Sequence, residues 1–270
     1  MPTPFSKAHA YGNDFLFVRE ADAPADLPAF TRAMCARHTG VGADGLILYG
    51  SRDGRTTMRL WNMDGSVSEL SGNGLRCLAA LVAREANLTV GGAVAVETTA
   101  GLKTLDLLGR SGATFTFRAA MGAPTNLRQS VVTVAGEAVP VVLLGVGNPQ
   151  CIVLGPLPDE ARFRAIGGGL AVHPVFPEGT NVEFVEVERP DRVRILIWER
   201  GVGPTTSSGT GSSASGVAAA AYGGALRHLE VVAPGGTQDV DWREDGIYLT
   251  GDAEILCDGV WQPSRDGRGA

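Results

Sequence analysis

The stretch MRLWNMDGSVSELSGNG (residues 58–74) returns 137 residues later as ILIWERGVGPTTSSGTG (residues 195–211). In each copy an apolar run ends at a tryptophan (Trp61, Trp198) and a polar residue follows (Asn62, Glu199). Each copy then closes on Ser-Gly-X-Gly: Ser71-Gly72-Asn73-Gly74 and Ser208-Gly209-Thr210-Gly211. Gly42-Ala43-Asp44 returns at the same offset as Gly179-Thr180-Asn181, and Gly12-Asn13-Asp14 returns as Gly147-Asn148-Pro149 with the offset slipped by two. The interval is far longer than the about 20–50 residues of a solenoid repeat. It divides the 270 residues nearly in half, so the chain reads as two copies of one domain.

Bulk properties fit that reading. Each half is long enough to bury its own core. Hydrophobic residues make up 44% and charged residues 19%, a globular composition. A formal charge of −6 argues against a nucleic-acid surface, which needs a basic stripe. No apolar run approaches the about 18 residues of a membrane span, and MPTPFSKAHAYG lacks the layout of a secretory signal. Cys35, Cys77, Cys151 and Cys257 show no C-x-x-C spacing, which reads as free thiols in a reducing cytoplasm with no metal site.

Alternating apolar residues predict short strands over 15–18, 46–49, 58–61, 94–97, 113–117, 139–144, 151–154, 182–187 and 193–198. Helical spacing follows both Ser-Gly-X-Gly turns, over 75–85 and 212–222, and a further amphipathic helix is predicted over 28–38. The alanine-rich run GVAAAAYGG suits a central helix wrapped closely by sheet. The expected division is 1–115, with 252–270 packing back on it, and 116–251.

Each Ser-Gly-X-Gly turn runs straight into a helix. N–H groups at a helix N-terminus, free of bulky side chains, form an anion site; a serine there is also an ordinary N-cap. The same turn at the same offset after the same kind of strand tips the reading toward function. Neither copy fits a phosphate-binding loop or a dinucleotide fingerprint. Glu199-Arg200 at a strand end could hold an ammonium and a carboxylate together, as an amino acid presents them, or form a surface ion pair. Asn13, Asn62, Asn73, Asn148 and Asn181 all lie in repeated or glycine-flanked segments. His9, His38, His173 and His228 lack metal-ligand spacing, with His9 a second-rank base; Arg76 and Cys77 read as packing residues of the first helix.

Taken together, FSKAHAYGNDFLFV, RHTGVGADGLIL, MRLWNMDGSVSELSGNGLRCLAA, GVGNPQCIVL, FPEGTNVEFVEV and IWERGVGPTTSSGTGSSAS resemble diaminopimelate epimerase in six ordered blocks. The resemblance implies an α/β (α+β) fold of two pseudo-symmetric domains, each a curved mixed sheet around a central helix, with the ligand in a cleft between them. It implies that LL-2,6-diaminopimelate is converted to the meso isomer for lysine biosynthesis, with no pyridoxal phosphate, no metal and no other cofactor. Asn13, Asn62, Asn148 and Asn181 would contact the substrate, and Glu199 and Arg200 would hold its distal amino-acid end. The N–H groups of Gly72, Asn73, Gly209 and Thr210 would bind the reacting carboxylate. Family membership further implies a cytoplasmic homodimer with a small-molecule amino-acid substrate and neither nucleic-acid nor membrane partners.

One departure falls on the chemistry. Where the family opens each turn with a catalytic cysteine, this chain has Ser71 and Ser208, and Gln150 stands where the family usually has a histidine that tunes the thiols together with Glu199. A serine hydroxyl does not ionise usefully at neutral pH and needs a base beside it. Three readings therefore stay open: an epimerase working through Ser71 and Ser208, a different proton-transfer isomerase on the same scaffold, and a ligand-binding pseudoenzyme.

Overall fold

The computed structural model describes residues 2–68, 71–99 and 101–262. The chain forms two compact units. One runs to Arg118 and resumes at Asp252; the other is Ala119–Gly251.

In the first unit the chain forms β1 (Thr3–Ala10), β2 (Asn13–Arg19), α1 (Leu27–Cys35), β3 (Gly45–Arg52), β4 (Arg55–Asn62), β5 (Val67–Ser68), α2 (Gly72–Glu85), β6 (Ala93–Thr98) and β7 (Gly101–Ser111), and β8 (Thr114–Gly122) leads out of it. The second holds β9 (Thr125–Val134), β10 (Glu137–Gly145), β11 (Pro149–Leu154), α3 (Glu160–Ala171), β12 (Asn181–Arg189), β13 (Arg192–Glu199), β14 (Gly203–Thr205), α4 (Gly209–Tyr222), β15 (His228–Ala233) and β16 (Gly236–Trp242). The last strand, β17 (Ile247–Trp261), pairs with β16 over its first residues and with β1 over its later ones.

The repeat is one topology used twice. β2 and β3 pair in parallel across α1, β3 and β4 are antiparallel, and β4 and β6 pair in parallel across α2. In the second unit β11 and β12 pair in parallel across α3, β12 and β13 are antiparallel, and β13 and β15 pair in parallel across α4. A helical crossover is what a parallel pair requires.

Strand pairing refines the sequence match. Phe15 lies opposite Gly45, and Gln150 lies opposite Asn181. The counterpart of Asn181 is therefore Gly45, not Asp44, and that of Glu183 is Ile47. The slip between the two outer matches is taken up partly before and partly after this strand. One residue matters here, because a slip of one sends every side chain to the other face of the sheet.

Both central helices are buried along most of their length. α4 lies against β10, β11, β12, β13, β15 and β16. Its small residues let the sheet come close: a β-carbon on Gly216 would stand 2.7 Å from Val240 Cγ1. Ala214, Val217, Ala218 and Ala219 join the core with Ile152, Val185, Ile195 and Ile197.

One predicted helix changes, and several elements, among them α3 and the strands β1, β7, β9, β15, β16 and β17, have no counterpart among the predicted ones. α1 stops at Cys35 rather than His38, because the chain folds back and the Val41 and Gly42 N–H groups donate to the Met34 carbonyl at 2.9 and 3.0 Å. Helix α3 was not anticipated. Its run Gly167-Gly168-Gly169 disfavours a helix in isolation, since each helical glycine costs about 1 kcal/mol relative to alanine. Here those glycines let α3 lie directly on the Trp198 ring and Val134; β-carbons on Gly167 and Gly168 would meet Trp198 at 3.3 and 3.1 Å.

Candidate active site

In the first unit Ser71 has extended backbone (φ −120°, ψ 124°), and its Oγ accepts the Gly74 N–H at 3.1 Å. It is the N-cap of α2. Asn73 Nδ2 donates to Asn13 Oδ1 (3.3 Å), and Asn13 Nδ2 donates to Asp44 Oδ2 (2.7 Å). Asn62, at the end of β4, donates to Ser66 Oγ (3.0 Å), and the next N–H, of Met63, donates to the Asp44 carbonyl at 2.9 Å. Asn73 is thus linked through Asn13 to the Asp44 carboxylate, and the chain just after Asn62 to the Asp44 carbonyl.

Sequence reasoning passed over the charged group that fixes this corner. Arg37 Nη2 lies 2.6 Å from Asp44 Oδ1 and 2.8 Å from Asp14 Oδ1, and Lys7 Nζ lies 2.9 Å from Asp14 Oδ2. Burial pushes the Asp14 carboxyl up, but hydrogen bonds and charge from Arg37 and Lys7 outweigh it and hold the group below its ordinary range. The repeated triplet ending at Asp44 was the available signal. Arg76 packs within α2, as expected. Only 2% exposed, it donates to Asn73 Oδ1 at 3.4 Å with its guanidinium 5.7 Å from the Tyr11 ring centroid. A buried cation in the first turn adds to the positive potential of the helix N-terminus. His9 already holds partners: Nδ1 accepts the Gly12 N–H (3.3 Å), and Nε2 lies 3.5 Å from Glu254.

In the second unit Ser208 repeats the cap of α4, with φ −144° and ψ 125°, its Oγ accepting the Gly211 N–H at 3.1 Å. Thr210 Oγ1 lies 3.4 Å from the same Oγ. Asn181, at the start of β12, donates to the Pro149 carbonyl (3.2 Å) and accepts the Arg200 N–H (3.0 Å). The exposed Arg200 guanidinium donates to the Glu178 carbonyl at 2.9 Å. No ion pair joins Glu199 to Arg200 among the described residues. Alternation along β13 explains this: Ile197 faces the α4 core and Trp198 the α3 core, so Glu199 returns to the α4 side. There Glu199 is half-buried, and desolvation pushes its carboxyl up.

Glu183 is the residue that sequence reasoning missed. It is wholly buried on β12, facing α4. Burial, and then the Glu199 charge, push its carboxyl well above the ordinary carboxylate range. Gln150 lies over it, one end of its carboxamide 3.1 and 3.2 Å from the two Glu183 oxygens. The other end meets Asn148 Oδ1 at 2.6 Å, Thr210 Oγ1 at 3.2 Å and Asn181 Nδ2 at 3.3 Å. Glu183, the first of two glutamates in the apolar run NVEFVEV and set among the strand's buried residues, was the signal.

None of the four cysteines stands at either turn. Cys35, Cys77 and Cys151 are buried and Cys257 is exposed; burial pushes the Cys35 and Cys77 thiols up to about 12. Among the described residues, the partners of the Ser71 and Ser208 hydroxyls are main-chain N–H groups and, for Ser208, Thr210. Each unit therefore offers a hydroxyl and a helix N-terminus suited to a carboxylate, flanked by asparagine amides.

The family model described as diaminopimelate epimerase matches residues 5–126 and 142–256. The chain is 41% identical to a diaminopimelate epimerase of Desulforudis audaxviator, over 95% of this chain and 98% of that one. It is 38% identical to the diaminopimelate epimerase of Microcystis aeruginosa, over 97% of this chain and 99% of the relative. Its fold is similar to that of a predicted epimerase from Pseudomonas aeruginosa, with a TM-score of 0.72, 15% identity and coverage of 97% and 100%.

Proposed function

The chain belongs to the diaminopimelate epimerase family, isomerases acting on amino acids, and from that premise we propose that it inverts one α-carbon of LL-2,6-diaminopimelate to give the meso isomer. The observation that carries this reading is the pair of matched turns, in which Ser71 and Ser208 each cap a buried helix beside asparagine amides. Loss of the α-proton leaves negative charge delocalised onto the carboxylate. N–H groups at Gly72, Asn73, Gly209 and Thr210 meet that charge, and fixed dipoles in a water-poor site stabilise it most effectively. One proton leaves the α-carbon on one face, and another arrives on the opposite face. These transfers fall to Ser71 and Ser208 acting through water, which takes up the first proton and supplies the second, because a hydroxyl without a base does not take a proton from carbon itself. Asn13, Asn62, Asn148 and Asn181 orient the substrate, and Arg200 and Glu199 hold the distal end. We extend the proposal to a homodimer in the cytoplasm, a reducing compartment that suits the free thiols.

A second reading, a binding protein that keeps the ligand without turnover, is favoured by the hydroxyls themselves. Both accept main-chain N–H groups, and neither has a base as partner among the described residues. Proton NMR of LL-2,6-diaminopimelate with the purified protein in D2O separates the two. Loss of the α-proton signal with growth of the meso isomer supports the epimerase. Saturable binding with no exchange at high protein concentration supports the binding protein.

A further inference from the structure

The two units differ under the first turn of their central helices. A β-carbon on Gly74 would meet Ile47 Cδ1 at 2.8 Å and Phe15 Cζ at 3.4 Å, so α2 starts on an apolar floor. At the equivalent place under Gly211, the second unit has Glu183 and Gln150. A charge-capable group has replaced a core isoleucine, and an amide has replaced a phenylalanine. Burying a carboxyl here is costly unless it is neutral or well bonded.

The carboxamide of Gln150 can serve either state of that carboxyl. When Glu183 is protonated, its O–H donates to Gln150 Oε1, and Gln150 Nε2 donates to Asn148 Oδ1 across 2.6 Å. When Glu183 is ionised, the amide turns over: Nε2 donates to the carboxylate, and Oε1 accepts from Asn181 Nδ2 and the Thr210 hydroxyl. Asn148 Oδ1 cannot stay against another oxygen, so Asn148 must turn its own Nδ2 inward. Asn148 is partly exposed, so it then presents its oxygen outward, where before it presented its N–H₂.

We propose that Glu183 is a positioning residue whose protonation state sets the seat of Gln150, and through it whether Asn148 offers a donor or an acceptor to the ligand. The inference rests on the proposed role of Asn148 in binding substrate. On its own face of the sheet the titratable neighbour of Glu183 is Glu199 on β13, while Cys151 on β11 lies on the opposite, α3 face and feels the Glu183 charge through the sheet. The first turns of α4 above Glu183 carry no titratable group. A carboxylate ligand wants the donor, so the protonated seat is the binding-competent one, and raising pH through the Glu183 titration weakens binding.

The test uses the ligand-free protein, so it is independent of whether diaminopimelate is turned over. Carbon-13 and nitrogen-15 NMR, carried upward in pH until the Glu183 carboxyl carbon itself reports ionisation, would follow that carbon and the side-chain amides of Gln150 and Asn148. The expected result is one shared midpoint for all three. In Glu183→Gln the amide signals should stay at their low-pH positions across the range, because the new amide donates as the protonated acid does. Amide signals that stay still in the parent protein, or that move equally in Glu183→Gln, would overturn the proposal.

Discussion

Glu183 Oε1 occupies the space that a β-carbon on Gly211 would need, with Glu183 Cδ 3.1 Å from that point. Around Gly72, at the start of the other central helix, a β-carbon would meet nothing within 4 Å. Gly211→Ala is therefore expected to cost about 1–3 kcal/mol, since it must displace a buried carboxyl from its amide partner. Gly72→Ala should be neutral or stabilising by up to about 1 kcal/mol. Urea midpoints of the two variants check this; equal midpoints would contradict the packing.

Ser71→Cys combined with Ser208→Cys should raise epimerisation by about 100-fold or more, because a thiol at a helix N-terminus ionises within reach of neutral pH and a hydroxyl does not. The D2O exchange assay reads it directly. A double variant that binds ligand but gains no rate would mean that the site runs other chemistry.

Asp14 carries a pH signature. Its carboxyl is lowered in the folded protein by Arg37 and Lys7, so its stabilisation is complete above the unfolded value of about 3.9 and is lost as pH falls through the folded value. Asp14→Asn should cost about 1–3 kcal/mol at pH 7. Thermal melts of parent and variant should draw together as pH falls from about 4 toward and below the lowered folded value. A gap that does not narrow at all below about pH 4 would show that charge is not the cause.

Arg200→Ala should weaken diaminopimelate binding by about 10–100-fold, because a distal carboxylate loses its charged donor. The side chain is exposed and held only by the Glu178 carbonyl among its described partners, so the melting temperature should stay near that of the parent. Calorimetric titration with an unchanged Kd would remove Arg200 from the site.

Much of the architecture was legible because it is periodic. Trp61 and Trp198, the two Ser-Gly-X-Gly turns and the apolar alternation between them are local patterns, and local patterns determine strands, helix starts and the number of repeats. The sequence also marked both N-caps, since a serine before glycine and a helical run has one favourable use. Helix α3 stayed hidden because Gly167, Gly168 and Gly169 lower helix propensity in isolation; only contact with Trp198 and Val134 makes their missing side chains useful.

What the sequence determined by itself was the duplicated α/β unit, the family, and the residue types gathered at each turn. Tertiary structure alone decided the pairings: Gly45 rather than Asp44 opposite the role of Asn181, Glu199 turned away from Arg200, and Glu183 buried beneath Gln150. The physical reason is that side-chain facing depends on strand register, and a carboxyl's charge state depends on burial and on neighbours distant in the chain.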